Sequence, residues 1–357
     1  MADTTDHSLL IAPQWIGDAV MTEPLVRLLA ARGERLSVAA LPWVAPVYRL
    51  MAGVHEVIEL PFRHGGLQWR ERRALAQTLR GRFGVAYVGP NSFKSALLPW
   101  LAGIPVRRGY QGEMRVGVLN QRLPNPPKGE RPPMVAFYAA LATLGHADLT
   151  LPEDLRPQLP FAAPVLQQAA QALVTRPELR AVDVATHATL VPESYVVFAP
   201  GAEYGAAKRW PAEHFAALAL RIGRPVLLLG SAKDDAVCEA IVREVDETRP
   251  GHAINLAGKT SLPEAFALIA HAHRMVGNDS GLMHVAAAFD VPQIALFGSS
   301  SPEHTPPLSD AAQVIWLKRD ADYQPPLDCA PCFDRTCHLG HTRCLRDITP
   351  ERVAALL

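Results

Sequence analysis

No stretch of this 357-residue chain approaches the roughly 18 to 20 apolar residues that a membrane-spanning helix requires. The longest candidate, Leu97 to Val106, is broken by Pro99 and Pro105. Net charge is also lacking, since 35 Lys and Arg balance 35 Asp and Glu, which argues against bulk nucleic-acid binding. The first residues, Met1-Ala2-Asp3-Thr4-Thr5-Asp6, are acidic where a secretory signal is basic, so a cytoplasmic protein is expected. Cysteine is scarce, with five in all. What is abundant is apolar surface: 49% of the residues are hydrophobic, enough for two domains that each bury a core.

Short apolar runs alternate with helical stretches in both halves. Ser8–Ala12, Leu36–Leu41, Val54–Leu60 and Val85–Val88 read as strands, with helices up to about Ala31 and over Arg70–Arg80. A stretch rich in proline and alanine follows from His146 to Pro192, with one helix expected near Val165–Val174 and an interdomain connection near 180–194. The alternation then restarts with strands at Tyr195–Ala199, Pro225–Leu229, Ile254–Leu256, Arg274–Val276 and Gln293–Phe297. This pattern predicts an α/β protein of two Rossmann-like domains with parallel sheets, whose ligands sit beyond the carboxyl ends of the strands. The expected division is 1–185, 186–345 and a C-terminal helix over 346–357 packing back toward the first domain.

The strand ends carry the chemical candidates. Gly277-Asn278-Asp279-Ser280-Gly281-Leu282-Met283-His284 turns from a strand directly into a helix, where backbone N–H groups, a carboxylate and an imidazole meet. Such a helix start suits a phosphorylated sugar, although an ordinary cap by Asp279 or Ser280 explains the same residues. Asp18, in the first turn of the first domain, is the acid available there for proton work, or else a dipole-favoured helix start. Pro200-Gly201-Ala202-Glu203 lets backbone approach a ligand closely, and Lys208-Arg209 before Pro211 offers a counter-charge for a diphosphate. Asp234 is placed to accept ribose hydroxyls. Between Arg63 and Arg115 the chain holds ten Lys or Arg against two acids. That is either a solvated helix face or a surface for an anionic partner.

Together these motifs resemble the ADP-heptose:lipopolysaccharide heptosyltransferases. The resemblance rests on Trp15-Ile16-Gly17-Asp18, Pro90-Asn91-Ser92-Phe93-Lys94-Ser95, Arg108 to Arg115, Pro200 to Glu203, Lys208 to Pro211 and Asn278 to His284. It runs over nearly the whole chain. The Asn-Ser-Phe-Lys-Ser and Gly-Glu-Met-Arg segments resemble the members that add the second heptose of the inner core. The resemblance implies a GT-B fold with two sheets facing a central cleft, inverting transfer, ADP-heptose in the C-terminal domain and the lipopolysaccharide acceptor in the N-terminal domain. It also implies no cofactor for catalysis, no nucleic-acid partner, and a cytoplasmic location that allows peripheral attachment to the inner membrane. On that reading Asp18 is the base and Lys208 stabilises the diphosphate. Gly201, Glu203, Asp234, Asp279, Ser280, Gly281, Leu282 and His284 contact the donor, and Asn91, Ser92, Lys94, Glu113 and Arg115 the acceptor. The alternatives are transfer to another inner-core acceptor, as in heptosyltransferases I or III, a sugar-nucleotide epimerase of similar build, and a non-catalytic nucleotide-sugar binding module.

One feature falls outside that scheme. Cys329, Cys332, Cys337 and Cys344 form a C-x2-C-x4-C-x6-C run with His338 and His341 interleaved. In a cytosolic chain this spacing points to a metal knuckle, with structural zinc the expected ion, ahead of disulfides, and a compact metal-free loop is the alternative.

Overall fold

Two six-stranded parallel sheets carry the chain, and they share one connectivity. A computed structural model describes residues 7–62, 66–146 and 148–357, apart from the side chain of Lys128. The first sheet contains β1 (His7–Ile11), β2 (Arg35–Ala40), β3 (Val54–Glu59), β4 (Val85–Val88), β5 (Val106–Tyr110) and β6 (Gln121–Leu123), ordered β3-β2-β1-β4-β5-β6. The second contains β7 (Val196–Ala199), β8 (Val226–Leu228), β9 (Ala253–Asn255), β10 (Arg274–Asn278), β11 (Gln293–Phe297) and β12 (Ala312–Trp316), ordered β12-β11-β10-β7-β8-β9. In each the chain reverses direction across the sheet at one point, between β1 and β4 and between β7 and β10. Ligand crevices of open α/β sheets form at such points.

The central strands are buried on both faces, as parallel sheets covered by helices demand. Leu9 and Leu10 in β1 are fully buried, as are Val197 and Phe198 in β7. One apolar core gathers around Leu9, Ala86, Val88, Leu79 and Leu98, a second around Phe198, Trp210, Phe215, Ile294 and Leu296. The helix expected near Val165 runs Pro164–Leu173.

The chain divides into compact units Met1–Pro160 and Phe161–Leu357, earlier than the 185/186 boundary expected from composition. The reason is packing. The helix Pro164–Leu173 lies on the helix Leu262–Ala270, and the ring of Phe161 sits 5.3 Å from that of Phe289. The proline- and alanine-rich stretch therefore begins the second unit instead of ending the first. The C-terminal helix Pro350–Ala354 packs on Ala212–Ala219, and Arg274 donates to the carbonyl of Leu356 at 3.1 Å. Residues 346–357 are thus built into the second unit.

Candidate active site

In the second unit the site grows from Asn278, the last residue of β10, which is fully buried. Its Oδ1 accepts the backbone N–H of Trp210 at 3.0 Å, and its Nδ2 donates to the carbonyl of Pro200 at 2.7 Å. One side chain thereby ties the end of β10 to both ends of the loop that follows β7. This brings Lys208 Nζ to 2.5 Å from Asp279 Oδ2, with Asp279 buried and Lys208 largely so. Two residues on, the helix Gly281–Ala288 begins. Ser280 takes the N-cap position in extended conformation, but its side chain makes no cap hydrogen bond and its Oγ is buried without a partner. Ser299 and Ser300, just beyond adjacent β11, likewise bury hydroxyls without partners. Three buried, unpartnered hydroxyls therefore follow the carboxyl ends of two neighbouring strands, one of them at a helix start, where anions are favoured. His284 is buried in the same helix, and burial pushes its pKa down to about 4. The nearby Asp279 charge opposes that shift, Lys208 adds to it, and the imidazole is neutral at neutral pH.

In the first unit Asp18 lies in the opening turn of the helix Ile16–Met21, directly after β1. The hydroxyl of Tyr138 donates to Asp18 Oδ1 at 2.9 Å. Tyr138 is buried, and both its burial and the Asp18 charge raise its pKa well above the ordinary phenol value. It remains a donor that fixes the carboxylate. Across the switch point the loop after β4 is held by Arg115, only 1% exposed. Its guanidinium donates to the carbonyls of Pro90 (2.8 Å) and Tyr110 and to Asn91 Oδ1 (2.9 Å). Glu113 Oε2 accepts the N–H of Phe93 at 2.8 Å, at the start of the helix Phe93–Leu101.

The profile of glycosyltransferase family 9 (heptosyltransferase) matches residues 72–342. The chain belongs to that family. A lipopolysaccharide heptosyltransferase 2 of Escherichia coli strain K12 is 42% identical over 353 residues, covering 97% of this chain and 95% of that protein. A protein of the same name from Salmonella typhimurium strain LT2 is 41% identical over 352 residues, covering 97% and 95% respectively. The structure of E. coli ADP-heptose lps heptosyltransferase II is similar with a TM-score of 0.80 and 38% identity, covering 98% of this chain and 97% of that one. The α/β architecture of this family 9 glycosyltransferase is that of the GT-B heptosyltransferases.

Within this glycosyltransferase several expected contacts are redistributed. Arg115, read from the sequence as a charge for the acceptor, is a buried clamp, and burial draws its pKa down. Three further cations of the basic stretch are similarly committed. Arg72 is buried over the Phe62 ring, donating to the carbonyls of Leu67 and Lys94; Arg108 bonds Tyr87 and Gln121; Arg107 donates to the carbonyl of Val118. Arg70, Arg73 and Arg80 are exposed, and Arg63 lies outside the described residues. Asp234 was expected at the ribose. Its Oδ2 accepts the N–H and hydroxyl of Ser231, and its Oδ1 lies 3.5 Å from Arg209. A Cβ at Gly201 would come within 2.6 Å of that carboxylate, so glycine is required there by close approach. Glu203 pairs with Lys233 at the surface. Tyr138, far away along the chain, and Ser299 and Ser300 are not among the sequence candidates; for the serines, their run past an apolar strand is the available signal.

Proposed function

We propose that this glycosyltransferase moves a heptose, with inversion, from ADP-L-glycero-D-manno-heptose to the first heptose of the lipopolysaccharide inner core, Kdo2-lipid A carrying one heptose. The observation that carries the reading is the Lys208–Asp279 pair at the start of the helix Gly281–Ala288, on a switch point of the second sheet. The 42% identity to a lipopolysaccharide heptosyltransferase 2 over 97% of the chain supports it. In the transfer, the acceptor hydroxyl oxygen bonds to the anomeric carbon as the bond from that carbon to the ADP phosphate oxygen breaks. Asp18 takes the hydroxyl proton and ADP leaves as the anion. Because the centre is oxocarbenium-like, the hydroxyl loses its proton late and a carboxylate is base enough. Charge gathers on the departing diphosphate, where Lys208, the hydroxyls of Ser280 and Ser300 and the helix N-terminus stabilise it. Asp279, Gly281 and Leu282 hold the sugar and phosphates, with neutral His284 behind them.

On the acceptor side Asn91, Ser92, Lys94 and Glu113 form the contact surface and Arg115 shapes it. No helix among the described residues is long and apolar enough to cross a membrane. On this reading the enzyme meets its lipid-borne acceptor peripherally, on the cytoplasmic face of the inner membrane. The test is a turnover assay with ADP-heptose against acceptors bearing no heptose or one heptose. ADP release only with the once-heptosylated acceptor is expected. Release with the heptose-free acceptor moves the assignment to the first transferase, and conversion of ADP-heptose without any acceptor overturns transfer altogether.

A further inference from the structure

Residues 320–342 contain no helix or strand, an unusually long irregular segment for a compact domain. Their apolar anchoring is thin: Leu327 and Ala330 are buried, whereas Phe333 and Leu339 are about half exposed. Yet this segment is built into the second unit by specific bonds. The carbonyl of Arg335 accepts the N–H of Ala207 at 3.1 Å, and a Cβ at Gly205 would lie 2.3 Å from that same oxygen. Phe333 donates its N–H to the carbonyl of Ser299 at 2.7 Å and accepts the hydroxyl of Tyr204 at 3.0 Å. The segment thus touches the loop carrying Lys208 and the serine run after β11.

All four cysteines of the C-terminal run face one small cavity in this segment. Cys329, Cys332, Cys337 and Cys344 line it together with His338 and His341, and Ala207 and Ser299 close its inner side. Its free volume is about 10 Å3, room for one ion- or water-sized guest. At one wall Cys332, Asp334 and His338 bring ligand atoms within 4.8 Å of one another, the one such trio among the described residues, and Asp334 Oδ2 lies 2.6 Å from His338 Nδ1; the four sulfurs share the cavity lining without yet closing to that range. The cysteines are all unpaired to one another as disulfides. Soft sulfur donors around an ion-sized space suit zinc, which needs four ligands and no regular secondary structure to order a short loop.

We propose that the thiolates of Cys329, Cys332, Cys337 and Cys344, which line one cavity, draw together on one zinc ion that orders residues 320–342, leaving the Asp334–His338 pair outside the ligand set. Binding releases the thiol protons, and the binding free energy becomes stability of the loop. Through Arg335 and Phe333 the ion braces Gly205 to Lys208 from behind. The zinc site stands independently of the reaction proposed above; only the consequence for the donor rests on it.

The experiment uses the full chain purified without added metal. Elemental analysis is expected to find about one zinc per chain in the wild type and in His338→Ala, and little in Cys332→Ser/Cys337→Ser, as a four-thiolate site requires. Exchange into Co2+ should give intense thiolate-to-cobalt charge-transfer absorption in the wild type, a readout independent of activity. Should the double variant fail to fold, chelator-treated wild type reloaded with zinc or Co2+ gives the same comparison. Metal-free wild type that takes up no Co2+ overturns the site, and so does loss of zinc from His338→Ala. If zinc is present but its removal leaves ADP affinity unchanged, the bracing of Lys208 fails while the metal site stands.

Discussion

Lys208 Nζ rests 2.5 Å from Asp279 Oδ2, two residues before a helix whose N-cap serine leaves its hydroxyl unbonded. The pair holds the cation where a diphosphate would accept it, and the ligand must share Lys208 with the carboxylate. Replacing Lys208 by Met should lower kcat by about 10²- to 10³-fold, the scale of losing one preorganised charge donor at a developing anion. It also leaves Asp279 buried without its partner, which costs stability. Steady-state kinetics with parallel denaturant unfolding separates the two. A kcat within threefold of wild type in a folded Lys208→Met protein would remove Lys208 from the departing phosphate.

Asp18 and Tyr138 make a second testable pair. Asp18→Asn keeps an oxygen to accept the Tyr138 hydroxyl, so the fold and donor affinity should hold while the rate drops by about 10²- to 10⁴-fold, the usual worth of a general base. Tyr138→Phe removes only the orienting bond. Its expected cost is roughly tenfold in kcat with donor KM unchanged, consistent with a net hydrogen bond to a charged group of about 1.5 kcal/mol. Turnover at saturating donor and acceptor reads both. Near-normal turnover in Asp18→Asn would exclude it as the base.

How much of this was legible beforehand follows from what each residue does. Asp18, Lys208 and Asp279 announce themselves because they follow apolar strands through glycine-bearing turns. β5 is hidden in the sequence, since Val-Arg-Arg-Gly-Tyr reads as basic, and only the fold shows Tyr87 and Gln121 satisfying Arg108. β6 is a three-residue strand at the sheet edge and β12 the opposite sheet's edge, so neither carries the long buried run that marks a central strand. Tyr138 lies 120 residues from Asp18, and only the tertiary fold joins them. Arg115 misled for the opposite reason: its type suggests a ligand for phosphate, while its burial and its carbonyl partners make it architecture.

His284 gives the site a defined response to pH. Its folded pKa of about 4 lies below the ordinary 6.5 because burial penalises the imidazolium. Between those values the unfolded chain binds a proton that the folded chain does not, so this group's contribution is complete above pH 6.5 and is lost as pH falls toward 4. From pH 7.5 to pH 5 the loss should be about 2 kcal/mol. Urea unfolding of wild type and His284→Gln at both values isolates it. The wild type should lose about that much more than the variant, and equal losses would mean that His284 is not held neutral by the fold.

Arg115 and Lys94 distinguish architecture from contact on the acceptor side. Arg115→Met leaves the carbonyls of Pro90 and Tyr110 and the side chain of Asn91 without their buried donor. A loss of about 3 kcal/mol in unfolding free energy is expected, with acceptor KM rising as the loop loosens. Arg115→Lys should recover little of it, because a single ammonium does not reproduce the forked geometry. Lys94→Ala, on a half-exposed side chain, should instead raise acceptor KM while changing stability by less than about 0.5 kcal/mol. Donor KM serves as the internal control and should stay constant in all three. If Arg115→Met is as stable as wild type yet loses acceptor affinity, its guanidinium meets the acceptor directly and the clamp assignment is wrong.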